Sequence, residues 1–397
     1  MAITIVNNPP TDSSLNDESW VTVSSTNAGT TNFKFVFDIK IAGNLVSRSK
    51  VFPNPADNYG YFNSAPIVRS FITNYFEPSG SSILVASNDK IAVRYNLEIR
   101  EEVSGGINVL PDASASFSAF NFYYPVFADL YTSGSTTVQN VYQNGLAQYK
   151  DNFLTERDLR EVKVNYGDRF YISFLRVEGT GERGYVRTLD SAGNVVASHN
   201  ALLSLSGSFN LFNLSAAAIN TWAGSTLITE NTYAYEFYIT GAGTSRVVRI
   251  LHNCSKYPSY NVHFINRLGG WDTFNFNLVN RQSVNLEKQF YQRADWQRSG
   301  GLMKTWDSYN RYNETKVAFN IQHNNKISLK SNWVNEIDYD WLAQLVASSN
   351  AYIEVQSMYL PLYISTTNYD YKLLNVDKIF NLELEAEIPK NINSQFR

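Results

Sequence analysis

The chain is predicted to be mainly β and multi-domain, built from β-sandwich and Ig-like modules with a few short helices. Three observations carry that expectation. The 26 Tyr and 24 Phe, with abundant Val, Ile and Thr, favour pleated strands over helices. Short apolar/polar alternations recur along the chain, punctuated by Gly, Asn, Asp and Ser clusters. A length of 397 residues exceeds one usual domain, so two or three are expected, each large enough to bury a core.

Residues 1–17, rich in Pro, Asn, Ser and Asp, read as an extended N-terminal arm that orders against a partner. Residues 18–150 read as a β-sandwich-like domain with one short helix. A strand starts at Trp20. Phe33, Phe35, Phe37, Ile39 and Ile41 then alternate with polar positions, Gly43-Asn44 supplies a turn, and 45–51 resumes the strand, which predicts a hairpin. Over 65–76 the spacing becomes helical: Ile67, Phe71 and Tyr75 lie beside Val68, Ile72 and Phe76. Ser64 is the expected N-cap and Pro66 sits in the first turn. Alternation returns over 91–99. Residues 132–145, rich in Gly, Ser, Thr and Asn, read as a long loop before a boundary at 145–155.

Residues 156–255 read as a small Ig-like β domain, with strands over 161–166, 170–177, 185–190 and 195–199. Turn residues lie at 165–168 and 191–194, one or two helical turns at 214–222, and closing strands at 233–239 and 246–252. Residues 256–397 read as a β-rich C-terminal domain. It opens with a hairpin over 260–278 around Gly269-Gly270. Its amphipathic helix, 337–347, has Asp338 near the start and Trp341, Leu342, Leu345 and Val346 on one face. Phe380, Leu382 and Leu384 alternate with Asn381, Glu383 and Glu385, giving one core face and one solvent face. No short internal repeat is present, which excludes a solenoid or propeller.

Composition narrows the function. Charged residues make up 17%, against roughly 25% in ordinary soluble proteins. Asn, Ser, Thr and Tyr fill the deficit. Neutral polar groups and aromatics with little charge suit large contact areas. A net charge of −3 gives no global basic field, so sequence-specific nucleic-acid binding is not expected. DNA could still pass through a lumen, since passage requires weak binding. The lone Cys254 excludes an intramolecular disulfide framework and fits assembly in a reducing cytoplasm. The first twenty residues lack a signal-like pattern, and no run of 18 apolar residues occurs, so neither a signal-led export nor a membrane span is expected.

The chemistry-bearing residues form no catalytic pattern. The four histidines are His199, His252, His263 and His323. His252 and Cys254 share a strand spacing, but no third ligand completes a metal site. Cys254 is expected to be inert, as buried cysteines usually are. No serine occupies a nucleophile elbow. Gly179, Gly181 and Gly184 read as a hairpin loop and not as a phosphate cradle. Glu101-Glu102 and the Glu383, Glu385, Glu387 series read as solvated faces and not as paired glycosidase carboxylates. Asp38 and Lys40 read as ordinary polar-face residues. No enzyme, cofactor or metal is therefore expected.

Phe274 and Phe276 alternate and read as core. Tyr291, Arg293, Trp296, Arg298, Trp306, Tyr309, Arg311 and Tyr312 have no clean period and surround Gly300-Gly301. They read as a long aromatic and arginine-rich loop, the composition that interfaces enrich, and are the candidate subunit interface.

Motifs in the last third resemble a family of structural proteins from tailed phages of Bacteroidota, including the crAss-like phages. They are Cys254-Ser255-Lys256-Tyr257, Phe264 to Asp272 with Phe274 and Phe276, Ser331-Asn332-Trp333, Trp341 to Ser348, Pro361 to Ser365, and Leu382 to Glu385. Pro53-Asn54-Pro55, Gly60-Tyr61-Phe62 and Phe153-Leu154-Thr155 fit the same order. The match is scattered and weakest between 175 and 245. It implies a virion tail or neck component, assembled in the host cytoplasm as one homo-oligomeric ring of a tail barrel and touching other tail or neck proteins. The family brings no catalytic residues. Ring subunits make head-to-tail contacts that close; the arm of 1–17 and the loops at 132–145 and 291–312 are the expected clamps. The rival readings are a receptor- or glycan-binding tail-tip or fibre protein, an envelope-glycan hydrolase, and a capsid decoration protein.

Overall fold

The computed structural model describes residues 3–9, 12–14, 18–72, 76, 78, 82–87, 92–104, 106–108, 110–120, 152–176, 181–205, 209–241, 243–292, 297–299, 302–304, 316–356, 358–366 and 380–388. Among them strands dominate and three short helices occur, so the chain is mainly β with several packed sheets, as its aromatic and β-branched composition predicts.

The first module packs a three-stranded sheet (Ile3–Asn7, Trp20–Ser25, Gly60–Asn63) on a larger one ordered Asp12–Ser14, Ala113–Phe120, Ala92–Val103, Lys34–Ile41, Asn44–Val51. Val21, Val23, Phe35, Phe37, Tyr95, Leu97 and Ile99 fill the space between them. The segment expected as a free arm instead contributes a strand to each sheet: Ile3–Asn7 pairs antiparallel with Trp20–Ser25, and Asp12–Ser14 pairs parallel with Ala113–Phe120. Ile3 is buried, and that anchor outweighs the polar composition around it. The helix is shorter than its apolar spacing suggests, Ala65–Arg69. Ser64 does not cap it, because its hydroxyl is held by Tyr95 (2.9 Å). Asn63 Oδ1 accepts from Ala65 N (3.1 Å) instead. The other face of the larger sheet is an ionic ladder. Asp38 is 1% exposed, bound by Arg48 (2.6 and 2.7 Å) and Arg100 (3.1 Å). Burial pushes its carboxyl up, and the two guanidiniums outweigh that and hold it below the usual range.

The middle module is a sandwich of a four-stranded sheet (Asn152–Phe153, Tyr171–Leu175, Phe209–Asn213, Leu84–Ser87) and a five-stranded one (Val162–Val164, Val248–His252, Ala234–Thr240, Arg183–Leu189, Val195–Leu202). Leu84–Ser87 comes from within the first third of the chain and pairs with Phe209–Asn213. Phe153, Ile172, Phe174, Phe212 and Phe237 form the centre of the core. Helix Ala216–Ala223 starts at Ser215, whose side chain accepts from Ala218 N, and ends at Gly224 in the left-handed region. Gly179 lies outside the described residues; the strands that flank the Gly-rich stretch, Tyr171–Leu175 and Arg183–Leu189, belong to different sheets and do not form the expected hairpin.

The C-terminal module is one antiparallel sheet of seven strands: Trp271–Phe276, Tyr260–Ile265, Ala351–Val355, Met358–Ile364, Glu383–Ile388, Lys316–Lys330 and Arg281–Gln292. Helix Glu336–Ala347, capped by Asn335 Oδ1 on Asp338 N (2.7 Å), packs Trp341, Leu342 and Leu345 against Phe264, Phe274, Phe276 and Leu384. The two outermost strands are consecutive in sequence, joined by residues 277–280. A flat sheet would hold them about 29 Å apart at about 4.8 Å per strand. The connector allows at most about 19 Å, five Cα steps of about 3.8 Å. The sheet must therefore curl toward closure, and Gln282 Nε2 donates to Tyr260 OH (3.1 Å) across the opening.

Candidate functional site

Strands Arg281–Gln292 and Lys316–Lys330 make the longest pairing among the described residues. Among the described residues only the base of the second is flanked on both sides, where Glu383–Ile388 pairs with it up to Asn325. Among the described residues, 316–324 thus run with Asn285–Gln292 as a two-stranded ribbon about 26 Å long, at about 3.3 Å per residue. Every residue of Arg281–Gln292 is exposed. Alternation along it places Val284, Leu286 and Phe290 on the face that carries buried Ile327 at the base. The apolar pattern of the core continues outward past the last side chain that covers it. A bulge between Gln289 and Phe290 leaves Phe319 as the extra residue, 62% exposed, with its ring 6.1 Å from that of Tyr291. Lys316 Nζ lies 4.6 Å above the Phe290 ring.

Of the candidate interface residues, Tyr291 falls at the far end of this arm. Tyr291 is in the first strand and exposed. Arg298 is in Gln297–Ser299, which pairs with Leu302–Lys304. Arg293, Trp296, Trp306, Tyr309, Arg311 and Tyr312 lie outside the described residues, as does the 132–145 loop. The expected loop over 291–312 is corrected in part: 291–292 finish a long strand, and 297–304 contains a small hairpin. Val284, Leu286, Phe290 and Phe319 were not singled out by composition. The alternation Val284, Leu286, Phe290 is the signal that identifies them, obscured by Lys288 between.

What fixes the arm-bearing sheet is its seam with the middle module. Asp272 Oδ2 accepts from Thr155 Oγ1 (2.7 Å), Trp341 Nε1 (2.8 Å) and Asn266 Nδ2 (2.9 Å). Burial nevertheless pushes the Asp272 carboxyl up to about 6. Buried Arg157 donates to Thr273 O (2.8 Å), and its guanidinium lies 4.8 Å from the Trp341 ring. Trp271 N donates to Ser173 Oγ (2.7 Å). Gly270 is required there: a Cβ would sit 2.7 Å from Leu154 O. Phe76, reaching in from the first third, stacks on His263 (4.7 Å) and packs against Trp271 and Tyr359. The first and last thirds therefore touch at this seam.

The remaining chemistry-bearing groups are structurally engaged. Glu102 pairs with Lys50 (2.5 Å) and Lys34 (3.6 Å), while Glu101 binds Ser25 and Asn27. Both are buried and face no common cleft, which corrects the expectation of a solvated pair. Glu383 and Glu387 make cross-strand pairs with Lys330 (2.9 Å) and Lys326 (3.0 Å) on an exposed face. Cys254 is exposed, contrary to a buried inert thiol. Among the described residues no group of three or more His, Cys, Asp or Glu side chains is placed to hold a metal ion, and no helix is long and apolar enough to cross a membrane. No protein-family model matches the chain, and no curated protein matches it.

Proposed function

We propose that the chain is a virion structural protein, a subunit of a symmetric ring in the tail or neck of a tailed phage, which grips its neighbour through the arm. The resemblance in the last third supplies the phage context. The observation that supports the assembly role is the arm: a strand of twelve residues exposed throughout, carrying Val284, Leu286 and Phe290. A two-stranded ribbon is marginal alone in water, and clustered exposed apolar groups mark contact surfaces. A neighbour laid along the arm covers those groups. Head-to-tail repetition of one such contact closes a ring.

The test is immunogold electron microscopy on particles from an infected-host lysate, with antibodies to the recombinant chain. Label at the neck or tail stack is expected. Label at the distal tip favours receptor or glycan binding, and particles without label contradict a virion role.

A further inference from the structure

The outer face of the three-stranded sheet in the first module has a chemistry unlike that of the arm. None of its strands, Ile3–Asn7, Trp20–Ser25 and Gly60–Asn63, contains a charged residue. Val21, Val23 and Phe62 point inward and are buried in the module's core. Alternation turns Trp20, Thr22 and Tyr61 outward together. Thr22 lies directly opposite Tyr61, and Trp20 is its diagonal neighbour. Tyr59 stands beside them, its ring 6.5 Å from that of Tyr61. Trp20, Tyr59 and Tyr61 are 45%, 36% and 37% exposed. Gly60, between the two tyrosines, is buried, and a Cβ there would come within 2.5 Å of the Phe35 ring. The glycine lets this strand press onto the core, so the aromatic side chains stand on a rigid backbone.

Two of the rings have their polar ends engaged already. Trp20 Nε1 donates to Glu18 (2.5 Å), and Tyr61 OH donates to Asp57 (2.5 Å), which also accepts from Tyr59 N (2.9 Å). These bonds fix the ring edges and leave the ring faces to solvent. The Tyr61 hydroxyl and the Tyr59 amide hold the Asp57 carboxyl below its usual range, so it stays ionised and accepts further hydrogen bonds. The surface therefore offers aromatic faces bordered by hydroxyls and carboxylates, with no cation in its strands. A sugar ring has the matching chemistry. Its C–H side lies against the negative face of an aromatic ring, and its hydroxyls donate to carboxylates at the ring edge. A polyanion would meet Glu18 and Asp57 as like charges, and an apolar protein surface would bury both without a donor. We infer that this face binds a neutral carbohydrate chain, with sugar rings on Trp20 and Tyr61 and hydroxyls donating to Glu18 and Asp57. The site belongs to the first module and the arm to the C-terminal one, so this binding stands apart from the ring reading above.

The test is affinity electrophoresis of the full chain in native gels containing dextran, laminarin, mannan or xylan, with alginate as the anionic control. Trp20→Ala, Tyr61→Ala and the arm variant Leu286→Ser/Phe290→Ser run beside the wild type, and a denaturant midpoint for each confirms that it is folded. At least one neutral polysaccharide should slow the wild type and the arm variant equally. Either ring variant should lose that retardation and run as it does in a plain gel. No retardation by any of the four neutral polymers overturns the inference, as does retardation that survives the loss of both rings. Retardation by alginate alone overturns it too, because the face would then select negative charge. If Trp20→Ala or Tyr61→Ala instead makes a larger sedimenting species fall to monomer, the face is a contact between copies of the chain and the inference fails.

Discussion

Trp271–Phe276 and Arg281–Gln292 are the two outermost strands of one sheet, separated by four residues of chain. The first is buried at all six positions and the second exposed at all twelve. Each sets apolar side chains two residues apart on one face, Phe274 and Phe276 in the first and Val284, Leu286 and Phe290 in the second. The difference lies in what covers them. Trp271 and Thr273 face Ser173 and Tyr171 of the middle module, while Asp272 and Phe274 face the helix that carries Trp341. No described residue does the same for the arm. The covered edge shows what this chain does with a strand it buries itself, and the bare edge, with the same alternation, is accounted for by a neighbour.

The largest expected effect lies at the covered edge. Trp271→Ala removes a fully buried ring packed on Phe76 and Tyr352. It should lower unfolding stability by about 4 kcal/mol, read as a fall in the denaturant midpoint. Asp272→Ala leaves three buried donors without their acceptor and removes one of the carboxylates that balance Arg157, beside Asp338 and Asp158. A loss of about 3 kcal/mol is expected in the same measurement.

Asp272 also sets a pH dependence. Its folded pKa of about 6 lies above the ordinary 3.8, so the folded state keeps a proton that the unfolded state releases. Its contribution is full below about pH 4 and is lost as pH rises through about 6. Relative to Asp272→Asn, wild-type stability should fall by about 2–3 kcal/mol over that window and be flat above it. Urea titrations of both proteins at several pH values check this.

The smallest stability effect belongs to the arm. At concentrations where the wild type is monomeric, Leu286→Ser and Phe290→Ser should each change stability by less than about 0.5 kcal/mol, because neither side chain is in a core of its own chain. A large loss in either would mean that the arm is held by its own chain, and would erase the contrast between the two edges.

Much of the fold was legible because strand alternation is a local property. The hairpins expected at 33–51 and 260–278, the helix expected at 337–347 and found as Glu336–Ala347, and the last strand, expected over 380–388 and found as Glu383–Ile388, all follow from neighbouring residues. Pairing between distant segments left no local trace. Leu84–Ser87 joins the sheet of Phe209–Asn213, and Phe76 enters a pocket lined by His263 and Trp271. Arg157 and Asp272 carry no local signal, because only the fold brings residues more than a hundred positions apart into one buried cluster. The aromatic composition of 291–312 drew the reading to the residues that follow the arm's first strand. It did not reveal that the exposed apolar stripe starts at Val284, since exposure depends on which strands lie alongside.

The most direct test of the assembly role is sedimentation velocity of the full chain over a concentration series, beside the Leu286→Ser/Phe290→Ser double variant. The account predicts a species larger than the monomer for the wild type, and monomer alone for the equally stable variant. Identical sedimentation of the two would contradict it.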